Sequence, residues 1–193
     1  MTIIGLDIGY SNMKMCVGTQ EKHNTTVMPV GVMPDEGMRG FGFDQQSKNV
    51  CRVLVDGKPY FAGVSPDAMS GRQRTLHANY PSTVDYRAMF AAALLSSTHK
   101  EIDCLVTGLP VEQFLDSDRV ESLKKSLTGT FKVTPKREVE VKQVIVAPQP
   151  IGGYMNSVSD NPELASALIR IDPLMLKEMT HHIFSGSFKF QVG

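Results

Sequence analysis

The sequence predicts an α/β domain whose mixed sheet has antiparallel hairpins on one side and crossover connections on the other. Short strand-like runs joined by tight turns fill the chain up to residue 62, and helix-like and strand-like segments alternate after residue 85. The 193 residues are 41% hydrophobic. That is enough for one sizeable domain or two small subdomains, and it excludes a disordered chain.

Apolar residues fill 3–7, and alternation marks 13–17 and 25–32, so three sequential strands form an antiparallel meander. Residues 34–48 are polar, with Gly37, Gly40 and Gly42, and read as an exposed loop. The alternating run 50–55 meets Asp56-Gly57, and 58–62 returns. Asp-Gly suits a type I′ hairpin turn, where both central residues take φ > 0. Residues 65–79 read as a loop or a short helix; Arg72 and Arg74 there are either solvated charges or a protein–protein contact.

The clearest helix is 85–99, with Tyr86, Met89, Phe90, Ala93 and Leu94 on one face and Ser82 or Thr83 as N-cap. A strand at 102–107 ends at Gly108-Leu109-Pro110, and a short helix starts at Val111. A second helix, 117–127, turns Val120, Leu123 and Leu127 inward and stops at Gly129. Strands follow at 131–133, 139–141 and 142–146, and a further helix opens at 151–155.

Formal net charge is zero, so nothing argues for a nucleic-acid footprint or an anionic membrane surface. No apolar stretch approaches the length of a bilayer span. Asp7 interrupts the N-terminal apolar run and no basic segment precedes it, against a signal peptide. Three cysteines, Cys16, Cys51 and Cys104, lack a C-x-x-C pattern, which argues against a disulfide framework or zinc site and fits a reducing cytoplasm. The histidines show no metal-ligand spacing, and the adjacent pair His181-His182 reads as surface.

Chemistry concentrates at the opening, where the apolar run leads to Asp7, Gly9, Tyr10, Ser11, Asn12 and then Lys14. A tight turn of small polar residues offers backbone N–H groups to an anion, with phosphate the natural guest. A carboxylate beside it is placed to hold a hydrated Mg²⁺. The same segment also reads as a plain β-hairpin in which Gly9 and Asn12 supply φ > 0.

The string Asp7-Ile8-Gly9-Tyr10-Ser11-Asn12-Met13-Lys14 resembles the first phosphate loop of the actin, Hsp70 and sugar-kinase superfamily, and most of all the ParM/StbA family of plasmid-segregation actins. The resemblance implies ATP and Mg²⁺ as ligands. It places Asp7 near Mg²⁺ through water, Gly9, Tyr10, Ser11 and Asn12 along the β- and γ-phosphates, and Lys14 as a neutralising charge. Val106-Thr107-Gly108-Leu109-Pro110 resembles the family's V-x-G-L-P element, and it also reads as a simple strand stop. Gln149, between Pro148 and Pro150 where a strand gives way to a helix, matches the family position that orients the attacking water. Positioning is most of what phosphoryl transfer asks of a protein. By itself, the segment also reads as a helix N-terminus with an incidental Gln.

The resemblance implies a ribonuclease-H-like, actin-type ATPase domain I over residues 1–169. Subdomain IA would be 1–32 and 81–169, with an inserted small subdomain IB at 33–80. Residues 170–193 would be a returning helix or an unrelated tail. Ile171-Asp172-Pro173 starts as a second phosphate loop would, but the Gly and Thr of that loop do not follow. The implied function is ATP-dependent filament formation in plasmid segregation, in the cytoplasm. Partners would be other copies, a full-length relative, and an adaptor protein on plasmid DNA, with no direct nucleic-acid or membrane contact. Without a second clamp the chain alone is expected to bind nucleotide weakly or not at all, and to be inactive as an ATPase. The alternatives are a non-catalytic module that co-assembles with a full-length filament protein and, further off, a sugar-kinase-like phosphotransferase fragment.

Overall fold

A computed structural model describes residues 1–18, 23–38, 50–65, 69 and 79–149. The expected loop or short helix at 65–79 with Arg72 and Arg74, most of the 34–48 loop, the helix at 151–155 and the tail at 170–193 lie wholly or largely outside the described residues. The chain divides into two units, Met1–Val106 with Lys125–Ile145, and Thr107–Lys124 with Val146–Gly193.

The first unit opens with β1 (Ile3–Ile8), β2 (Asn12–Gly18) and β3 (His23–Pro29), an antiparallel meander. Ile4, Leu6 and Ile8 alternate inward from β1, and Met13 and Met15 do so from β2. The pleat therefore sends Asp7 and its register partner Lys14 to the opposite face.

The strand expected at 25–32 is two strands. β3 stops at Pro29, and β4 (Gly31–Pro34) joins a different sheet. Val30 lies between them and donates its N–H to the Ser11 carbonyl (3.3 Å). At Gly31 the register shifts and a Cβ would run into the Val64 carbonyl, so only glycine lets the chain change sheets there. A short helix, α1 (Asp35–Met38), begins where a loop was expected.

β5 (Cys51–Val55) and β6 (Lys58–Val64) form the hairpin expected around Asp56-Gly57. Asp56 (φ 50°) and Gly57 (φ 75°) both take the left-handed conformation that a type I′ turn demands. The second sheet runs β4-β6-β5.

A 3₁₀ turn, Tyr80–Ser82, feeds α2 (Val84–Ser96). Thr83 is the cap, its hydroxyl accepting the Tyr86 N–H (3.2 Å). The helix ends earlier than expected, because Thr98 takes φ 62° and the Ser97 hydroxyl turns back to donate to the Leu94 carbonyl (2.8 Å). Its burial is also broader than one face. Every residue from Ala88 to Leu94 is buried, because α2 packs against β1, β4, β5, β6 and β9 (Gly129–Thr134). Four alanines make that close approach possible, and Phe90 meets Phe131 edge-to-face at 5.0 Å.

The run expected at 102–107 is also split. β7 (Glu101–Ile102) pairs in parallel with β10 (Arg137–Val141), which pairs with β9, whereas β8 (Cys104–Leu109) joins the meander sheet. Gly108 and Leu109 lie inside β8 rather than ending it. Asp103 sits at the break. It accepts the Thr2 N–H (2.7 Å), and Lys142 Nζ donates to it (3.0 Å) while also bridging to Glu101 (2.9 Å). The Thr2 hydrogen bond first, and Lys142 second, hold the Asp103 carboxyl below its usual range. The two carboxylates raise Lys142.

With β11 (Val144–Pro148), the five-stranded sheet has the order β11-β8-β1-β2-β3. β8 and β11 run in parallel: Leu105 N–H bonds the Gln143 carbonyl (2.8 Å) at one end and Gln149 N–H bonds the Leu109 carbonyl (2.8 Å) at the other. This mixed sheet, part meander and part crossover, is the expected α/β architecture.

The described part of the second unit holds the ends of β8 and β11, α3 (Val111–Phe114) and most of α4 (Ser117–Leu127). Asp116 caps α4 by accepting the N–H groups of Asp118 (3.1 Å) and Arg119 (3.2 Å). Leu123 and Leu127 are buried, and Val120 is half-buried.

Candidate functional site

The turn between β1 and β2 is a two-residue hairpin tip. Gly9 N–H donates to the Asn12 carbonyl (3.1 Å), which leaves Tyr10 and Ser11 at the apex. Neither Gly9 nor Asn12 has positive φ, so the φ > 0 reading of this turn is incorrect. Glycine at 9 suits the turn for another reason: a Cβ there would sit 3.2 Å from the Asn12 carbonyl oxygen, tighter than a side chain normally packs.

The tip is anchored from outside as well. The Ser11 carbonyl accepts from Val30 N–H (3.3 Å) and the Gly9 carbonyl accepts from the Tyr80 hydroxyl (3.4 Å). The carbonyls of Gly9, Ser11 and Asn12 are thus all turned onto protein donors. That matters for an anion, because an outward carbonyl dipole would repel it. The Tyr10 ring stacks on Tyr80 (centroids 4.9 Å, planes 30° apart), and Tyr80 meets Tyr86 of α2 edge-on at 5.5 Å. The hairpin is fastened through three rings to the start of the most buried helix.

Asp7, Gly9, Tyr10, Ser11, Asn12 and Lys14 therefore come together on one hairpin. Ser11, Asn12 and Lys14 are exposed, and Asp7 is half-buried. Asp7 and Lys14 are direct cross-strand partners on the face away from the Leu6 and Met13 core. Among the described residues, no three His, Cys, Asp or Glu side chains cluster as a protein cage for a metal. One carboxylate next to an anion loop does suit Mg²⁺, which keeps most of its waters and takes one or two carboxylates plus phosphate oxygens.

Gln149 belongs to the second unit. It is exposed, directly follows the buried Pro148 of β11, and is held by its N–H bond to Leu109. Sequence reasoning missed Val30 and Tyr80 as supports of the tip. Tyr80 lies 71 positions from Gly9, and nothing local marks a hydroxyl that reaches so far along the chain.

Residues 5–152 match the family described as "Actin like proteins N terminal domain", and the chain belongs to that family. Its fold is found in solved structures of low sequence identity. The apo pSK41 ParM protein is 15% identical with a TM-score of 0.56, the match covering 78% of this chain and 50% of that one. Ta0583, an archaeal actin homologue, is 22% identical with a TM-score of 0.57, covering 83% and 49%. An AlfA filament bound to AMPPNP is 16% identical with a TM-score of 0.51, covering 76% and 54%. The chain spans about half the length of these proteins. No curated protein matches it. Among the described residues, no helix is long and apolar enough to cross a membrane.

Proposed function

We propose that this chain is domain I of an actin-like, filament-forming ATPase of the plasmid-segregation type, and that the hairpin tip 9–12 is its phosphate loop. The observation that carries this reading is the anchored tip itself. Three of its four carbonyls, those of Gly9, Ser11 and Asn12, are turned onto protein donors, and the exposed Ser11, Asn12 and Lys14 remain at the rim, with Asp7 directly across the strand pair from Lys14. Family membership and the ADP complex solved for Ta0583 support nucleotide as the ligand.

In this reading Ser11, Asn12 and Lys14 bind the β- and γ-phosphates, and Asp7 holds Mg²⁺ through water. Held there by Asp7, the ion would supply neutralisation of the charge that develops on the phosphoryl oxygens. Gln149 orients a water whose oxygen bonds to the γ-phosphorus as the bond to the β-phosphate oxygen breaks, giving ADP and inorganic phosphate. The chain alone binds Mg-ATP weakly. Residues 1–32 and 81–169 form subdomain IA, and residues 33–80, which include β5 and β6, form IB. The setting is cytoplasmic, and the partners are further copies and an adaptor bound to plasmid DNA.

Sedimentation with Mg-ATP, alone and with a full-length actin-like relative, tests this. Nucleotide-dependent pelleting of the chain is expected, and loss of it in Asp7→Ala and Lys14→Ala. Pelleting that ignores nucleotide and both substitutions would overturn the proposal. A second reading is a non-catalytic module that co-assembles with a longer relative. Co-pelleting without phosphate release would select it.

A further inference from the structure

Gly108 lies in β8 beside the point where β11 ends. A Cβ built on it would fall 2.8 Å from Gln149 Cγ, inside any normal contact, but at ordinary distances from Gln149 Cα (3.4 Å) and the Ala147 carbonyl oxygen (3.6 Å). The Gln149 backbone is fixed independently by its N–H bond to the Leu109 carbonyl (2.8 Å) and by following the buried Pro148. The backbone thus stays put whatever residue 108 is, and only the course of the Gln149 side chain depends on it. Among the described residues, the exposed Gln149 side chain makes no hydrogen bond that would dictate that course. Gly108 is not at positive φ, so no backbone strain explains the glycine.

We infer that Gly108 is the positioning residue for Gln149: its missing side chain is the seat on which the Gln149 methylene lies, which fixes where the terminal amide points. The inference rests on the reading of Gln149 as the group that orients the attacking water. The V-x-G-L-P element thereby acquires a physical role. Its glycine is the seat, and the carbonyl of the following Leu109 fixes the Gln149 backbone.

Gly108→Ala separates positioning from folding. A methyl at 108 collides only with a flexible, exposed side chain, and Gly→Ala at unstrained φ otherwise favours the folded state slightly. The melting temperature should therefore stay within about 2 °C of the wild type, less than one kcal/mol for a chain of this size. In the isotope-labelled 193-residue chain, a nuclear Overhauser contact between Gly108 Hα and Gln149 Hγ is expected, and Gly108→Ala should shift the Gln149 side-chain amide while leaving its backbone N–H protected from exchange. An absent contact, or an unmoved side-chain amide in the variant, overturns the proposal without any turnover being measured.

Phosphate release by the nucleotide-dependent assembly of the chain then tests the consequence. Gly108→Ala should lower kcat by up to ~100-fold, the penalty of about 1 Å of misplacement, with KM unchanged. The double variant Gly108→Ala/Gln149→Ala should be no slower than Gln149→Ala. A wild-type rate in Gly108→Ala alongside a slow Gln149→Ala would overturn the positioning role and leave the Gln149 reading intact. A wild-type rate in Gln149→Ala would remove that reading, and the positioning role with it.

Discussion

Replacing Tyr80 by alanine removes the side-chain anchor of the hairpin tip and leaves the Val30 backbone anchor in place. Tyr80 stacks on Tyr10, meets Tyr86 edge-on, and donates its hydroxyl to the Gly9 carbonyl at 3.4 Å. Each ring pair contributes about 0.5–1.5 kcal/mol beyond area burial. The hydrogen bond is long, so its share is at the lower end of the usual range, about 0.5 kcal/mol. Tyr80→Ala should then cost roughly 1.5–3.5 kcal/mol, and Tyr80→Phe only about 0.5. A double-mutant cycle isolates the stack. Tyr10→Ala, Tyr80→Ala and the double variant, unfolded in urea, should give a coupling energy of about 0.5–1.5 kcal/mol. A coupling under about 0.3 kcal/mol, the usual error of additivity, would mean that the two rings do not support one another in solution. Tyr80 would then not be an anchor of the tip.

Other expectations follow from packing and charge. Met89 is fully buried at the centre of α2, so Met89→Ala should lose about 2–5 kcal/mol, read by the same urea titration. Asp103 is held below its usual range by the Thr2 N–H and Lys142, so its contribution is present above the ordinary carboxylate range and is lost as pH falls through the folded value. Melting temperatures from neutral pH down to about pH 3 should therefore fall more steeply in the wild type than in Asp103→Asn. Burial raises the Cys104 thiol, while Cys16 and Cys51 are half-buried. A thiol-specific reagent at mildly alkaline pH should label Cys104 last, and equal rates at all three would contradict its burial.

What could be read from the sequence was the part governed by local rules. Asp56-Gly57 demanded two positive φ values and took them, and Thr83 capped the helix that the apolar spacing announced. That residues 7–14 share one hairpin was legible because register follows once a two-residue turn is placed. What escaped was set by distant partners. The break at Val30 depends on the Ser11 carbonyl and on the closeness of Gly31 to Val64. The break at Asp103 depends on Thr2 and Lys142, far apart along the chain. The all-round burial of α2 comes from the strands packed about it, which no 3.6-residue pattern within the helix could show. The reason for Gly9 was also misread as φ, because a close carbonyl and a left-handed turn call for the same residue.

The measurement that bears most directly on the phosphate-loop proposal is a ¹H–¹⁵N titration of the 193-residue chain with Mg-ATP. Saturable shifts of the backbone amides of Gly9, Tyr10, Ser11, Asn12 and Lys14 are expected, with the affinity lowered in Lys14→Ala. Amides at 9–14 that stay in place at saturating nucleotide would contradict the proposal, whether or not other parts of the chain respond.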